Sequence, residues 1–176
     1  MRVPLVVTFS GIDRAGIVDA MADAVVRHRG NWESSRLVSL AGRFAGVFVA
    51  TVEAAQSDAL VHDLNRLSNE QLRIWVDPGA AQHTAPPSET RLRLQLTGAD
   101  HQGIVHDISH VLAARGISID EIQTELTDAP MAGGDLFTAT AFFRPPRGSS
   151  IDELRRALEK LADDLVVELS LAETER

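Results

Sequence analysis

Hydrophobic positions along this chain alternate between two rhythms. In "RVPLVVTFS", Val3, Leu5, Val7 and Phe9 recur every second residue, the period of a strand with one buried face. Ile17, Met21, Ala24 and Val25 then recur at i, i+4, i+7 and i+8, which predicts a helix with one apolar stripe. Gly30 is placed to end that helix. "NWESSRLVSL" and "RFAGVFVATVE" predict two strands joined around Ala41-Gly42, and the second, apolar almost throughout, is expected inside a sheet. Leu60, Leu64 and Leu67 stripe a second helix, and "QLRIWVD" reads as a short closing strand. The order is βαββαβ.

The same order then runs again. Leu92, Leu94 and Leu96 alternate in "RLRLQLT"; Ile104, Ile108, Val111 and Leu112 stripe a helix that Gly116 can end. "ISIDEIQTEL" and "DLFTATAFF" predict strands joined by the polar "TDAPMAGG". Ile151, Leu154, Leu158 and Leu161 mark the last helix and "LVVELSL" the last strand. Between the halves, "PGAAQHTAPPSE" has no periodicity and is rich in Pro and Ala. The expected organisation is a first domain over 1–77, a linker over 78–89 and a second domain over 90–172. Each half is an α+β unit, an antiparallel four-stranded sheet with two helices on one face. Open sheet edges invite pairing, so a homodimer is expected.

One phrase occurs twice at the strand-to-helix joints. "SGIDRAGIVDA" and "TGADHQGIVHD" both fit G-x-D-x-x-G-I-V, and Gly11 and Gly98 are 87 apart. A helix N-terminus holds backbone N–H groups without helical partners, and its dipole favours an anion such as a carboxylate. Asp13 and Asp100 place an acceptor for an ammonium group beside those donors, and the two together describe an α-amino acid. A plainer reading stands beside this one: both Asp residues cap helices and the glycines only turn the chain.

Composition narrows the function. The net charge is −8, with 8 Arg against 9 acidic residues over 1–77, 9 basic against 15 acidic over 90–176, and Glu89 making the last. Such a chain is ill suited to hold a phosphate backbone directly, and no helix-turn-helix pattern is present. There is no cysteine, hence no disulfide or thiol chemistry. No apolar run reaches the about 18 residues of a membrane span, and "MRVPLVVTFSG" has no cleavage pattern, so a cytoplasmic location is expected. No nucleophile elbow or phosphate loop is present, and acidic pairs such as Asp120-Glu121 and Asp163-Asp164 lack an acid–base companion, so no catalytic residue, cofactor or enzyme activity is expected. His106 and His110 share a helical face at i, i+4 without a third ligand, so no metal site is expected. Arg144 and Arg147 read as a solvated surface pair, and Trp32 and Trp75 as core or interface anchors.

"GIDRAGIVDAMADAVVRHRGNWESS" resembles the opening of an ACT domain, the small amino-acid-sensing regulatory module, and the resemblance extends to both halves. It implies two tandem ferredoxin-like domains. A tandem pair with no catalytic domain is most similar to the glycine cleavage system transcriptional repressor family. The resemblance implies ligand contacts at an interface between paired domains, through the first loop and the start of the second strand. Those positions are Ser10, Gly11, Ile12, Asp13, Arg14, Ala15, Gly16 and Asn31, and in the second half Gly98, Ala99, Asp100, His101, Gln102 and Gly103. Asn31 follows Gly30 whereas Ile117 follows Gly116, so the second helix segment reads as one residue shorter and the first loop as the better polar site. Asn31 as a turn residue is an equal alternative. The implied function is a regulator that binds an amino acid or related small-molecule effector and signals to a protein partner, with transcription of amino-acid (glycine) metabolism reached through that partner and not by direct nucleic-acid contact. The alternative is an interaction module whose pockets bind nothing.

Overall fold

β1 (Arg2–Ile12) delivers the chain into α1 (Ile17–Arg27), which returns it to β2 (Asn31–Leu40). β3 (Arg43–Glu53), a short 3₁₀ turn, α2 (Ser57–Arg66) and β4 (Leu72–Pro78) complete the first unit. The computed structural model describes residues 1–79, 90–128, 135–165 and 167–174, which belong to two compact units, Met1–His83 and Thr84–Arg176. The first sheet has the order β2-β3-β1-β4, antiparallel throughout. β3 is internal, as its apolar run predicts. Alternation puts Leu5, Val7, Phe9, Phe48, Ala50 and Val52 against the α1 stripe and against Leu60 and Leu64 of α2. Trp32 covers the end of this core, stacked on Phe48 with ring centroids 3.7 Å apart.

The second unit repeats the plan with β5 (Arg91–Ala99), α3 (Ile104–Ala113), β6 (Ile119–Asp128), β7 (Asp135–Phe143), α4 (Ile151–Leu165) and β8 (Val167–Thr174). Its sheet order is β6-β7-β5-β8, and Leu92, Leu94, Leu96, Ile104, Ile108 and Leu112 form the heart of its core. The expected pair of ferredoxin-like units, each an antiparallel four-stranded sheet with two helices, is what the chain forms.

Some boundaries move. Pro78 is the last residue of β4, paired with Leu5, and of the rest of the expected 78–89 linker only Gly79 lies among the described residues. Thr127 and Asp128 of "TDAPMAGG" extend β6; its remaining residues lie outside the described set. Trp75 is no core residue, for its position on β4 points away from the helices and leaves it 54% exposed.

The helix ends correct two expectations. No side chain caps α1 or α3; Gly16 and Gly103 are the N-cap residues, at φ 88° and 95°. At the far end of α1 the left-handed position is taken by Arg29, at φ 55°, with Arg29 N–H donating to Val26 O (2.9 Å) and Gly30 N–H to Val25 O (2.8 Å). Gly30 serves a different purpose: a Cβ there would lie 3.0 Å from Val25 O and 3.1 Å from Thr51 O. In the second unit Gly116 itself holds the left-handed position, at φ 67°, and Ile117 N–H donates to Leu112 O. Gly116 therefore matches Arg29 and Ile117 matches Gly30, both 87 apart. A β-bulge follows between Trp32 and Ser34 and again between Ile119 and Glu121, at the same offset. The second helix is one residue shorter, as expected (α3 has 10 residues, α1 has 11), but the bend after it keeps its place while the glycine has shifted by one position, and the counterpart of Asn31 is Ser118. The bulged acid is engaged in both units, but by different groups: Glu33 by the Thr51 hydroxyl on β3 (2.7 Å) and Asp120 by Arg144 Nε, just past β7 (2.9 Å).

One further contact ties α1 to α2. His28, just past α1, sets Nε2 2.9 Å from Asp63 Oδ2 and Nδ1 3.3 Å from Gln56 Oε1. The hydrogen bond from His28, helped by the nearby charges of His28, Arg27 and Arg66, holds the Asp63 carboxyl below its usual range despite partial desolvation. The unfolded chain therefore binds this proton more readily than the folded one, and the stability gained is present above the ordinary carboxylate pKa and lost as pH falls through the lowered one. Wild type is expected to lose more stability than Asp63→Asn on acidification from about pH 5 to about pH 3, read by denaturant unfolding at each pH. Parallel losses would remove the contact from the account of acid stability.

Candidate functional site

Both loops leave a central strand and enter a helix through a left-handed glycine. In the first unit Ser10, Gly11 and Ile12 are still part of β1. Gly11 is buried, and a Cβ on it would stand 2.5 Å from Gln71 O and 3.0 Å from Leu72 Cα. Its missing side chain lets β4 close against β1 and does not open space for a ligand. Ile12 N–H donates to Gln71 O (2.8 Å) and Asp13 N–H to Gly42 O (3.0 Å), so these two donors are spent on the fold. The Asp13 carboxylate, expected to cap α1 or to meet an ammonium, accepts a hydrogen bond from the Ser39 hydroxyl on β2. Ser39 is absent from the sequence-based set, and only the tight Ala41-Gly42 hairpin, which turns β2 back beside the loop, could have signalled it.

Arg14, Ala15 and Gly16 are exposed, and a Cβ on Gly16 would meet nothing within 4 Å. Glycine is needed at 16 for its backbone angle alone. Beyond it Ala20 N–H returns to Gly16 O, and the amides of Ile17, Val18 and Asp19 have no intrahelical acceptor and no side-chain cap. Oriented amides on an open face remain as the chemistry of this loop, suited to an anionic group.

The second loop keeps the backbone and changes the groups on it. Gly98 and Ala99 end β5, Asp100 N–H donates to Asp135 O (3.0 Å), and Asp107 N–H returns to Gly103 O (2.9 Å). The counterpart of Ser39 is Leu126, and among the described residues the Asp100 carboxylate accepts no hydrogen bond. Gln102 is exposed. His101, in the place of Arg14, has Nδ1 3.1 Å from Gln102 O, while its Nε2 is buried without a partner among the described residues.

Asn31 is not at the loop. It opposes Thr51, whereas Gly11 opposes Phe44 on the same strand. Seven residues of β3 separate those rows, about 23 Å at 3.3 Å per residue. One small molecule cannot touch Asn31 and the loop of the same unit. A cleft of about 400 Å³ lined by Val3, Leu5, Ala54 and Pro78 lies at the end of β1 away from the loop and includes none of the expected residues. The His106 and His110 rings stack 5.9 Å apart, and among the described residues no three His, Asp or Glu side chains are grouped to hold a metal.

Residues 3–74 match the family model of the ACT domain. Those residues are an ACT domain. The second unit has the same strand order, so the chain is two ferredoxin-like units in tandem, the first of which matches the ACT domain. It is similar along 99% of its length to the crystal structure of an unknown protein from Galdieria sulphuraria, at 29% identity and TM-score 0.88, covering 100% of that chain. A crystal structure of a provisionally assigned glycine cleavage system transcriptional repressor matches 100% of this chain and 99% of its own at 17% identity and TM-score 0.71, a likeness of fold. No match is found among curated proteins. No helix among the described residues is long and apolar enough to cross a membrane.

Proposed function

We propose that this chain is a tandem ACT-domain protein, a cytoplasmic, non-enzymatic regulator that binds an amino acid or similar small metabolite and passes the signal to a protein partner. The supporting observation is the duplicated loop, in which a left-handed glycine starts an uncapped helix and leaves its first amides open to an anion. Because Asn31 and the loop lie at opposite ends of one sheet, a shared ligand would take the loop of one domain and the strand start of another, which makes binding sensitive to how domains are paired. Glycine is the first ligand to try, since the fold is shared by a provisionally assigned repressor of the glycine cleavage system; DNA would be reached through the partner.

A panel of amino acids, glycine included, tested by thermal unfolding of the full chain checks the reading. At 100 times its dissociation constant a ligand adds about 2.7 kcal/mol of stability. Asn31→Ala is expected to remove most of that shift while leaving the unliganded transition in place. Silence of the whole panel at millimolar concentration would sink the sensor and favour a module that only pairs with proteins. That second reading already has one point of support: Asp13 is engaged by Ser39 and does not stand free.

A further inference from the structure

Strand alternation turns one face of the first sheet away from the helices. Every exposed large hydrophobic residue in the strands of this unit stands on that face: Ile12, Val38, Leu40, Val47 and Trp75, with Leu40 73% and Val38 57% exposed. They crowd its half nearest the Ala41-Gly42 hairpin. Arg36, Arg43 and Arg73 stand among them, all exposed, and none of the three forms an ion pair among the described residues. No acid occupies the strand positions between them on this face. The fold does not require such a surface. Matching registers put Thr127, Glu125, Thr140 and Ser170 of the second unit in the places of Leu40, Val38, Val47 and Trp75.

An apolar patch set with unpaired cations has the composition of a protein interface, where Trp and Arg carry much of the binding energy. Its complement is a segment that sets large hydrophobic side chains between carboxylates. We propose that this half of the first sheet's open face docks a protein partner through such an acidic, apolar segment. Charge decides among the occupants. A second copy presenting the same surface would bring three arginines against three. An anionic bilayer or a nucleic acid is an extended polyanion that meets the whole chain, whose net charge is −8, whereas a short segment meets only the face. Single-stranded nucleic acid also needs rings to stack on, and the central strands offer Thr8, Ser10, Ala45 and Val47 there. Such docking rests on the proposed function in one respect, that the chain signals through a protein partner, and it needs no amino-acid ligand.

Selection of random displayed peptides on the immobilised full chain, without added amino acid, tests it. The peptides recovered are expected to be rich in Asp and Glu interleaved with large hydrophobic residues. Synthesised and titrated, they are expected to move tryptophan emission to the blue and to bind more weakly as salt is raised. Arg36→Glu/Arg73→Glu, and separately Trp75→Ser, which installs the second unit's residue, are each expected to raise the dissociation constant by about tenfold or more. Arg155→Glu/Arg156→Glu, the same charge change on exposed positions of α4, is expected to leave it within about threefold. All of these side chains are exposed, and unchanged unfolding midpoints confirm that each variant folds. Recovery of no binders, of neutral or basic ones, or equal losses in the α4 variant would each overturn the proposal. So would displacement of the peptides by phosphatidylglycerol vesicles or a single-stranded oligonucleotide, which would hand the face to those occupants. Silence of the amino-acid panel alone would sink the sensor and leave this docking intact.

Discussion

Gly11→Ala is expected to destabilise the first ACT domain by about 3 kcal/mol, near the upper end of the cost of forcing an atom into a filled space. The new methyl group would sit 2.5 Å from the Gln71 carbonyl oxygen, a backbone atom just ahead of β4 that accepts the Ile12 N–H and cannot rotate aside. Gly16→Ala is the companion measurement. It meets no neighbour, and its cost of about 1–2 kcal/mol comes from the left-handed backbone alone. Denaturant unfolding ranks the two. The reverse ranking, or a Gly11→Ala protein as stable as wild type that has lost only its ligand response, would return Gly11 to the binding set.

Phe48→Ala is expected to cost about 4 kcal/mol. The ring is 1% exposed, lies in the middle of the central strand, and supports Trp32 by face-to-face stacking. Its loss leaves a cavity that β3 cannot collapse into while paired on both sides, and it uncovers the indole. The unfolding midpoint is expected to fall and the folded-state fluorescence to move to the red. A change below about 1 kcal/mol would mean the core repacks around the gap, and Trp32 would then show no spectral shift.

Much of the fold was readable because each element carries its period openly. Leu5, Val7 and Phe9, or Ile17, Met21, Ala24 and Val25, occupy the buried faces that their spacing predicts. The centrality of β3 followed from its unbroken apolar run. Less of the site was readable, since a motif groups residues by position along the chain and says nothing of what stands across from them. Gly11 looked like a ligand contact because the carbonyl it accommodates belongs to Gln71, far along the chain. Asp13 looked like a cap because Ser39 is brought to it only by the hairpin. The separation of Asn31 from the loop was implicit in the βαββ order, which returns the chain to the start of β1 before β2 begins. The 54% exposure of Trp75 depended on strand register, which a closing strand of a few residues leaves undetermined.

The displaced glycine has a bearing on how copies of this domain are compared. Aligning Gly30 with Gly116, the natural choice on paper, opens a one-column gap just ahead of β2 and β6. In a strand a single column exchanges inside for outside, so core positions of one copy would be scored against solvent positions of the other, and the shared bulge at Glu33 and Asp120 would vanish from view. Superposing the bends and letting the residue types fall where they do keeps the inheritance of the backbone visible where the letters have drifted.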